Sequence, residues 1–336
     1  RPVSVKKVAP QTYQFDMGQN IAGWAKLTVQ GAAGTPIRLE YGDRLTPEGR
    51  LDRSNYEILV TGREVQVDTY TLKGGGVESW EPRFTYHGFQ WVEVTGLPGR
   101  PTLDTLCGYV VGTDFERAGS FACSHPLLNW IQTAAEWSFI GNFHSIPTDC
   151  PHREKNGWTG DGHLAVEMGL YNYCAVAAYE KWMADFSDAQ REDGNLPAIV
   201  PTSGFHWGYD TYNGACWDSA YPLISWALYL YGGDRRVLET HYDGMKRYVD
   251  FLATRAGDSH LVREGLGEWC SPFGSTADYV TPPALSLTGY YYQMTSIIAR
   301  VADLLGRRED VQAYQHRAEK IRQAFNDAWL DRPSGI

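Results

Sequence analysis

The chain has 336 residues, of which 43% are hydrophobic and 21% charged, so there is material for real cores and no composition that favours disorder. Its formal net charge of −10 argues against a nucleic-acid backbone as partner. No apolar run approaches the ~18–20 residues of a membrane span. The length gives about two domains.

From residue 13 onward, short runs alternate apolar and polar residues. Residues 25–29, 37–41, 65–72, 89–94 and 105–111 do so in turn, separated by Gly31, Gly34 and Gly74-Gly75-Gly76. Period-2 alternation with such punctuation predicts an antiparallel β-sandwich over residues 1–116. Trp24, Trp80 and Trp91 could form a sugar platform there, but large aromatics more often fill cores and interfaces.

Residues 117–336 change period. Ser124-His125-Pro126 reads as a helix start, with Ser124 as the cap. Helical spacing then recurs at residues 127–135, 164–171, 176–186, 217–231, 238–252, 287–305 and 311–330. The stretch 217–231 is apolar nearly all round, which predicts a buried helix, stopped by Gly232-Gly233. Two long connections, residues 193–216 and 255–283, carry His206, Trp207, Tyr209, Asp210, Glu264, Glu268 and Trp269. Irregular loops of ~20 residues are rarely kept in compact domains without a use. About seven helices with several long loops suggest a helical toroid with one working mouth.

The six cysteines (Cys107, Cys123, Cys150, Cys174, Cys216, Cys270) are scattered, with no C-x-x-C pair. They read as small buried residues in a reducing compartment such as the cytoplasm. Gly74-Gly75-Gly76 has no following helix and is a turn rather than a phosphate cradle. No G-x-S-x-G elbow points to serine chemistry.

The stretch from Pro147 to Asp161, PTDCPHREKNGWTGD, is the densest in chemistry. It gathers Asp149, Glu154 and Asp161 with Arg153, Lys155, His152 and Trp158, and its prolines and glycines exclude one continuous helix. Charge-rich loops are often merely solvated, yet charges this dense between apolar helical patterns suggest a site. Its residues resemble the signature D-C-P-x-R-[D]-E-x-x-G-W-x-G-D of the α-L-rhamnosidases of glycoside hydrolase family 78. Similar stretches occur earlier, at Phe15-Asp16-Met17-Gly18-Gln19-Asn20-Ile21-Ala22-Gly23-Trp24, Tyr70-Thr71-Leu72-Lys73-Gly74 and Trp80-Glu81-Pro82-Arg83-Phe84-Thr85-Tyr86-His87-Gly88-Phe89.

The resemblance implies a β-sandwich followed by an (α/α)6 barrel. It also implies release of terminal α-L-rhamnose from glycosides or oligosaccharides with inversion, and no cofactor or metal. Carried over by position, Glu154 resembles the general acid. Asp149 and Asp161, with Arg153, resemble the groups that hold rhamnose hydroxyls, and Trp158 the wall against the sugar. Trp217 and Trp269 fall where further aromatic contacts are expected, although Glu268 stands where the family more often has Asp. Crowded carboxylates resist joint ionisation, so Asp149 and Asp161 are expected to favour the protonated acid if Lys155 faces solvent.

No residue matches the family's general base, and Glu268 is the one local substitute. Seven helices fall short of twelve, so the barrel is expected to be incomplete, its remainder lying in a longer polypeptide or a second chain. A homo-oligomer stays open. The alternatives are a rhamnoside-binding fragment without the base and another (α/α)6-barrel glycosidase. A metal hydrolase built on His144, Asp149, His152, Asp161 and His163 lacks any H-E-x-x-H-like spacing.

Overall fold

The computed structural model describes residues 1–57, 64–202, 212–267, 281–331 and 333. The chain forms two compact units, one from Arg1–Asp114 with Phe121–Lys155 and one from Phe115–Ser120 with Asn156–Ile336.

The first unit is built on an antiparallel seven-stranded sheet: β1 (Ser4–Ala9), β2 (Thr12–Gln30), β3 (Pro36–Gly42), β4 (Val67–Thr71), β5 (Val77–Trp80), β6 (His87–Thr95) and β7 (Leu106–Val110). The strand order is β1-β2-β6-β3-β4, with β5 and β7 added on β2. The 19-residue β2 can serve both groups because its register shifts between Asp16 and Ile21. Its first part pairs with β1 and β6, and its last part with β7 and β5. Gly23 allows the crossover: at φ 155° its hydrogen faces the Tyr109 carbonyl, 1.8 Å from where a Cβ would stand.

Alternation then sorts the two faces. Phe15, Val92 and Tyr41 stand in one cross-strand row, and Tyr13, Val94 and Leu39 in the next. With Ile37, Leu27, Phe89 and Leu106 they form the apolar core. Trp80 stacks on Tyr70 with ring centroids 5.0 Å apart, and the Trp24 indole donates to Glu81 at 3.0 Å, so both are engaged within the unit.

The opposite face carries the row Gln14, Glu93 and Glu40. The segment 43–57, ending in the short helix α1 (Ser54–Glu57), lies over this row. Gln14 donates to the Gly49 carbonyl, and Glu93 accepts from Gln14, Arg50 and the Leu51 N–H. Arg53 donates to Glu40 at 2.6 Å, while the buried Tyr56 donates to the Tyr41 carbonyl at 3.1 Å. The helix α2 (Pro126–Gly141) also belongs to this unit. Its N-cap is His125 rather than the expected Ser124, and no side chain caps it. Asn129 instead reaches back to both the N–H and carbonyl of Cys123, which removes the need for a serine cap.

The second unit is helical: α3 (Thr159–Asn172), α4 (Val176–Ala189), α5 (Ala215–Asp218), α6 (Ala220–Gly232), α7 (Arg236–Ala256), α8 (Pro283–Leu304) and α9 (Arg308–Trp329). The expected single helix over 217–231 is divided at Ser219 into α5 and α6. Pro222 explains the break, since its ring and missing N–H are tolerated only in a first turn. The rest of the expectation for α6 holds: it is buried along most of its length and ends at Gly233 in the left-handed region, φ 70°. Outside the apolar seam, Asp310 accepts from Tyr242 and Lys246, and Asp250 from Tyr314 and Arg317, which ties α7 to α9. None of the described helices is long and apolar enough to cross a membrane. His206, Trp207, Tyr209, Asp210, Glu268 and Trp269 lie outside the described residues.

Before α3 the backbone pairs with residues 198–200: Thr159 N–H donates to Ala198 at 2.8 Å and Val200 N–H to Gly157 at 2.9 Å. The first turn of α3 then receives Trp217. A Cβ on Gly160 would stand 2.8 Å from the Trp217 Nε1 and 2.9 Å from two of its carbons, so glycine is what lets the indole lie on that turn.

Two measurements check these assignments. The Glu93 side chain is 3% exposed; burial pushes its carboxyl up, but Arg50, the Leu51 N–H and Gln14 outweigh that and hold it below the usual value. A carboxyl so lowered adds stability above its unfolded value, ~4.3, which is lost as pH falls through the folded value. In Arg50→Met, urea unfolding at pH 7 is expected to show a loss of about 2–3 kcal/mol, narrowing below about pH 4; equal stability at pH 7 contradicts it. Gly160→Ala is expected to cost about 1–3 kcal/mol by overpacking and to change near-ultraviolet tryptophan dichroism, whereas an unchanged spectrum means the indole is not seated there.

Candidate active site

The segment from Pro147 is held by the first unit before it reaches Glu154. Phe143 and Pro147 form an isolated bridge, and Thr148 N–H donates to Asn142 at 2.7 Å. Pro151 then lies on the start of β6, where a Cβ on Gly88 would stand 2.7 Å from the Pro151 ring and 3.2 Å from the His152 Cβ.

Within the turn, Cys150 links the two carboxyl residues. Its thiol donates to Asp149 at 2.9 Å, and its sulfur accepts the Glu154 N–H at 3.4 Å. A carboxylate oxygen of Asp149, the Cys150 sulfur and a carboxylate oxygen of Glu154 all lie within 4.8 Å of one another. Arg153 joins them: its Nε is 3.3 Å from Glu154 Oε1, and both side chains are about a quarter exposed. The structure therefore brings together Asp149, Arg153 and Glu154.

The neighbours come from distant sequence. Arg153 Nη1 donates to the backbone and side-chain oxygens of Asn55 at 2.9 and 3.0 Å. The His152 ring faces the Asn55 amide at 3.2 Å and Asp43 at 3.8 Å. Burial favours its neutral form, against the pull of Asp43.

Lys155 does not face solvent as expected. Its ammonium donates to the Tyr86 carbonyl at 2.6 Å and lies 4.7 Å from the centre of that ring. Burial lowers its affinity for the proton, with Cys150 and Asp68 opposing. The turn puts Lys155 at φ 57°, and this strained backbone aims the side chain at the sheet rather than outward. Tyr86 also stacks on His144 at 4.0 Å, and burial pushes its phenol up to about 12.

Trp158, Asp161 and Trp217 belong to the second unit. Trp158 caps α3 by backbone position and bridges to Ile199. Asp161 is exposed in the first turn of α3, where a negative charge is favourable against the helix dipole in its own right. Trp217 is half-buried against Gly160. Trp269 lies outside the described residues.

The histidines of the metal reading are engaged elsewhere. His144 Nε2 donates to the Gly141 carbonyl at 3.1 Å and His163 Nε2 to the Cys216 carbonyl at 2.8 Å. Within the trio of Asp149, Cys150 and Glu154 the thiol donates to Asp149. A small cavity in the second unit is lined by Tyr212, Arg255, Ser259, Leu261, Arg263 and Glu264; of the loop residues singled out from the sequence it includes Glu264, and it includes none of those assigned to the sugar or the acid.

Sequence reasoning missed Cys150 as a linker, although it stands inside the signature and its spacing to the Glu154 N–H is one helical turn. Asn55 had no such signal, being 98 residues from its partner; Tyr86 stands in the quoted stretch from Trp80 to Phe89, but nothing there pointed to Lys155, 69 residues away.

Comparison with known proteins bears on the whole chain. The family described as the bacterial alpha-L-rhamnosidase 6 hairpin glycosidase domain matches residues 116–336. The bacterial alpha-L-rhamnosidase concanavalin-like domain matches residues 6–112. An alpha-L-rhamnosidase of Formosa agariphila is 33% identical over 340 residues, covering 98% of this chain and 36% of the relative. The alpha-L-rhamnosidase structure from Dictyoglumus thermophilum superposes with a TM-score of 0.91 at 38% identity, over 98% of this chain and 36% of that one. The Streptomyces avermitilis enzyme complexed with L-rhamnose gives 0.89 at 34% identity, over 98% and 31%. The chain thus spans about a third of the length of these relatives. With both of its regions matched, the chain belongs to the bacterial α-L-rhamnosidase family.

Proposed function

We propose that the protein to which this chain contributes hydrolyses terminal α-L-rhamnose from rhamnose-containing glycosides, with inversion at the anomeric carbon. The observation that supports this most is the meeting of Asp149, Cys150 and Glu154 within 4.8 Å in a chain whose two regions both match rhamnosidase families. A structural relative solved with L-rhamnose supports the choice of sugar. We further propose a β-sandwich over 1–116 and the first part of an (α/α)6 barrel over 117–336.

In this reading Glu154 gives its proton to the glycosidic oxygen as the C1–O bond breaks, and the leaving alcohol departs neutral. Water attacks C1 from the opposite face, and its proton passes to a base carboxylate. Asp149 and Asp161, with Arg153, bind rhamnose hydroxyls, while Trp158, Trp217 and Trp269 offer apolar faces to the ring. Hydrolysis of this kind runs on carboxyl groups and water, so no cofactor is needed.

Asp149 is a poor candidate for the base, because an inverting pair stands ~6.5–9.5 Å apart to admit water. Its closeness to Glu154 is instead nearer the ~5–5.5 Å of a retaining pair, which gives a second reading with Asp149 as nucleophile. The thiol bond from Cys150 disfavours it by occupying an Asp149 oxygen. We place the base in the part of the relatives' length that this chain does not span.

Two experiments on the full-length enzyme test the proposal. Proton NMR of the first sugar formed is expected to show β-L-rhamnose; α-L-rhamnose as the first product selects the second reading. A general acid works only while protonated, so activity is full below its titration and falls above it. In Glu154→Gln, kcat/KM on an alkyl rhamnoside is expected to fall about 10²–10⁴-fold, with loss of the basic limb of the pH profile. An unaltered bell refutes the role of Glu154.

A further inference from the structure

Arg153 is the cation that the turn sets beside Glu154, its Nε close to a carboxylate oxygen. A guanidinium bonds a carboxylate best through two parallel N–H groups. Here that fork is not made: Arg153 Nε is 3.3 Å from Glu154 Oε1 but has no hydrogen-bond partner among the described residues. The other end of the guanidinium is fixed instead, with Nη1 donating to Asn55 twice.

Asn55 is itself fixed. It lies in α1, where the Ser54 N–H and hydroxyl both donate to Asp52. The following residue, Tyr56, is fully buried and tied to the Tyr41 carbonyl.

We propose that Asn55 is a positioning residue: by pinning Arg153 Nη1 from the sheet domain, it keeps the guanidinium from closing its fork on Glu154. The proposal rests on the reading of Glu154 as general acid. The closed fork would be strong, because both side chains are mostly shielded and Coulomb attraction is screened little there. Among the described residues, the titratable and charged groups around the pair include Asp149 and Cys150 in the same turn, His152 between Asn55 and Asp43, and Lys155 against Tyr86. Removing the Asn55 amide changes the charge of none of them.

The sign follows directly. With Asn55 shortened, Arg153 turns its Nε edge to Glu154 and favours the ionised acid, so the basic limb of the kcat/KM profile moves to lower pH. Because the backbone carbonyl remains as one acceptor, the shift expected for Asn55→Ala is about 0.5–1 unit, at the lower edge of an arginine–carboxylate effect. Asn55→Asp keeps the Oδ1 acceptor and is expected to restore the limb. On an Arg153→Lys background, which cannot form the fork, Asn55→Ala is expected to leave the limb in place.

The test is a pH profile of the full-length enzyme on an alkyl rhamnoside for these variants beside Glu154→Gln. Asn55→Ser is read the same way if Asn55→Ala does not fold, since a hydroxyl cannot reach Nη1. An unmoved limb in Asn55→Ala, or an equal shift on the Arg153→Lys background, overturns the proposal while the acid role stands. Persistence of the limb in Glu154→Gln removes the acid role, and the proposal with it.

Discussion

The contact on which the rest depends is the seating of Pro151 on Gly88. The turn that presents Glu154 has no regular hydrogen-bond ladder of its own, so its place must be set by what it rests on. At Gly88 the sheet offers bare backbone, and any side chain there would stand within 2.7 Å of the proline ring. From that point the other contacts follow in short order: His152 and Arg153 reach Asn55, and Lys155 reaches Tyr86. A loop rich in charge is thereby held by groups that carry none: the bare backbone at Gly88, the Asn55 oxygens and the Tyr86 carbonyl.

This seating joins the sheet to the turn that carries Glu154. The sheet's apolar rows, Phe15 with Val92 and Tyr41 among them, supply the stability that a sheet needs. Its second face uses a buried carboxylate, Glu93, to bind the segment 43–57 across the strands. That same segment delivers Asn55. Sheet, covering segment and the turn that carries Glu154 therefore form one chain of contacts within the first unit, and a disturbance at Glu93 has a physical route to Arg153.

Much of this was legible in the sequence, for reasons that differ by element. Strand alternation revealed β3, whose buried residues alternate with less buried ones; β6 and β7 stand out as short apolar-rich runs, although their burial does not alternate. Alternation missed β1 and β5, whose residues are mostly exposed or half-exposed and show no clear period. Helices α6 to α9 followed from spacing and from Gly233, but the break at Ser219 needed Pro222 to be read as a first-turn residue. The signature marked Asp149, Arg153 and Glu154 correctly as neighbours. It could not reveal the direction of Lys155, which a single left-handed residue decides. Nor could local pattern connect Asn55 to Arg153, since nothing in either residue's surroundings marks the other. Such long-range partners are visible only once the chain is folded.

The central claim is that Glu154 protonates the departing oxygen. Its most direct measurement is the dependence of kcat/KM on leaving-group acidity, compared between the full-length enzyme and Glu154→Ala. A shallow slope is expected for the native protein and a steep one for the variant, which retains activity on dinitrophenyl rhamnoside and loses it on alkyl rhamnosides. Parallel slopes, with every substrate slowed by the same factor, would contradict it.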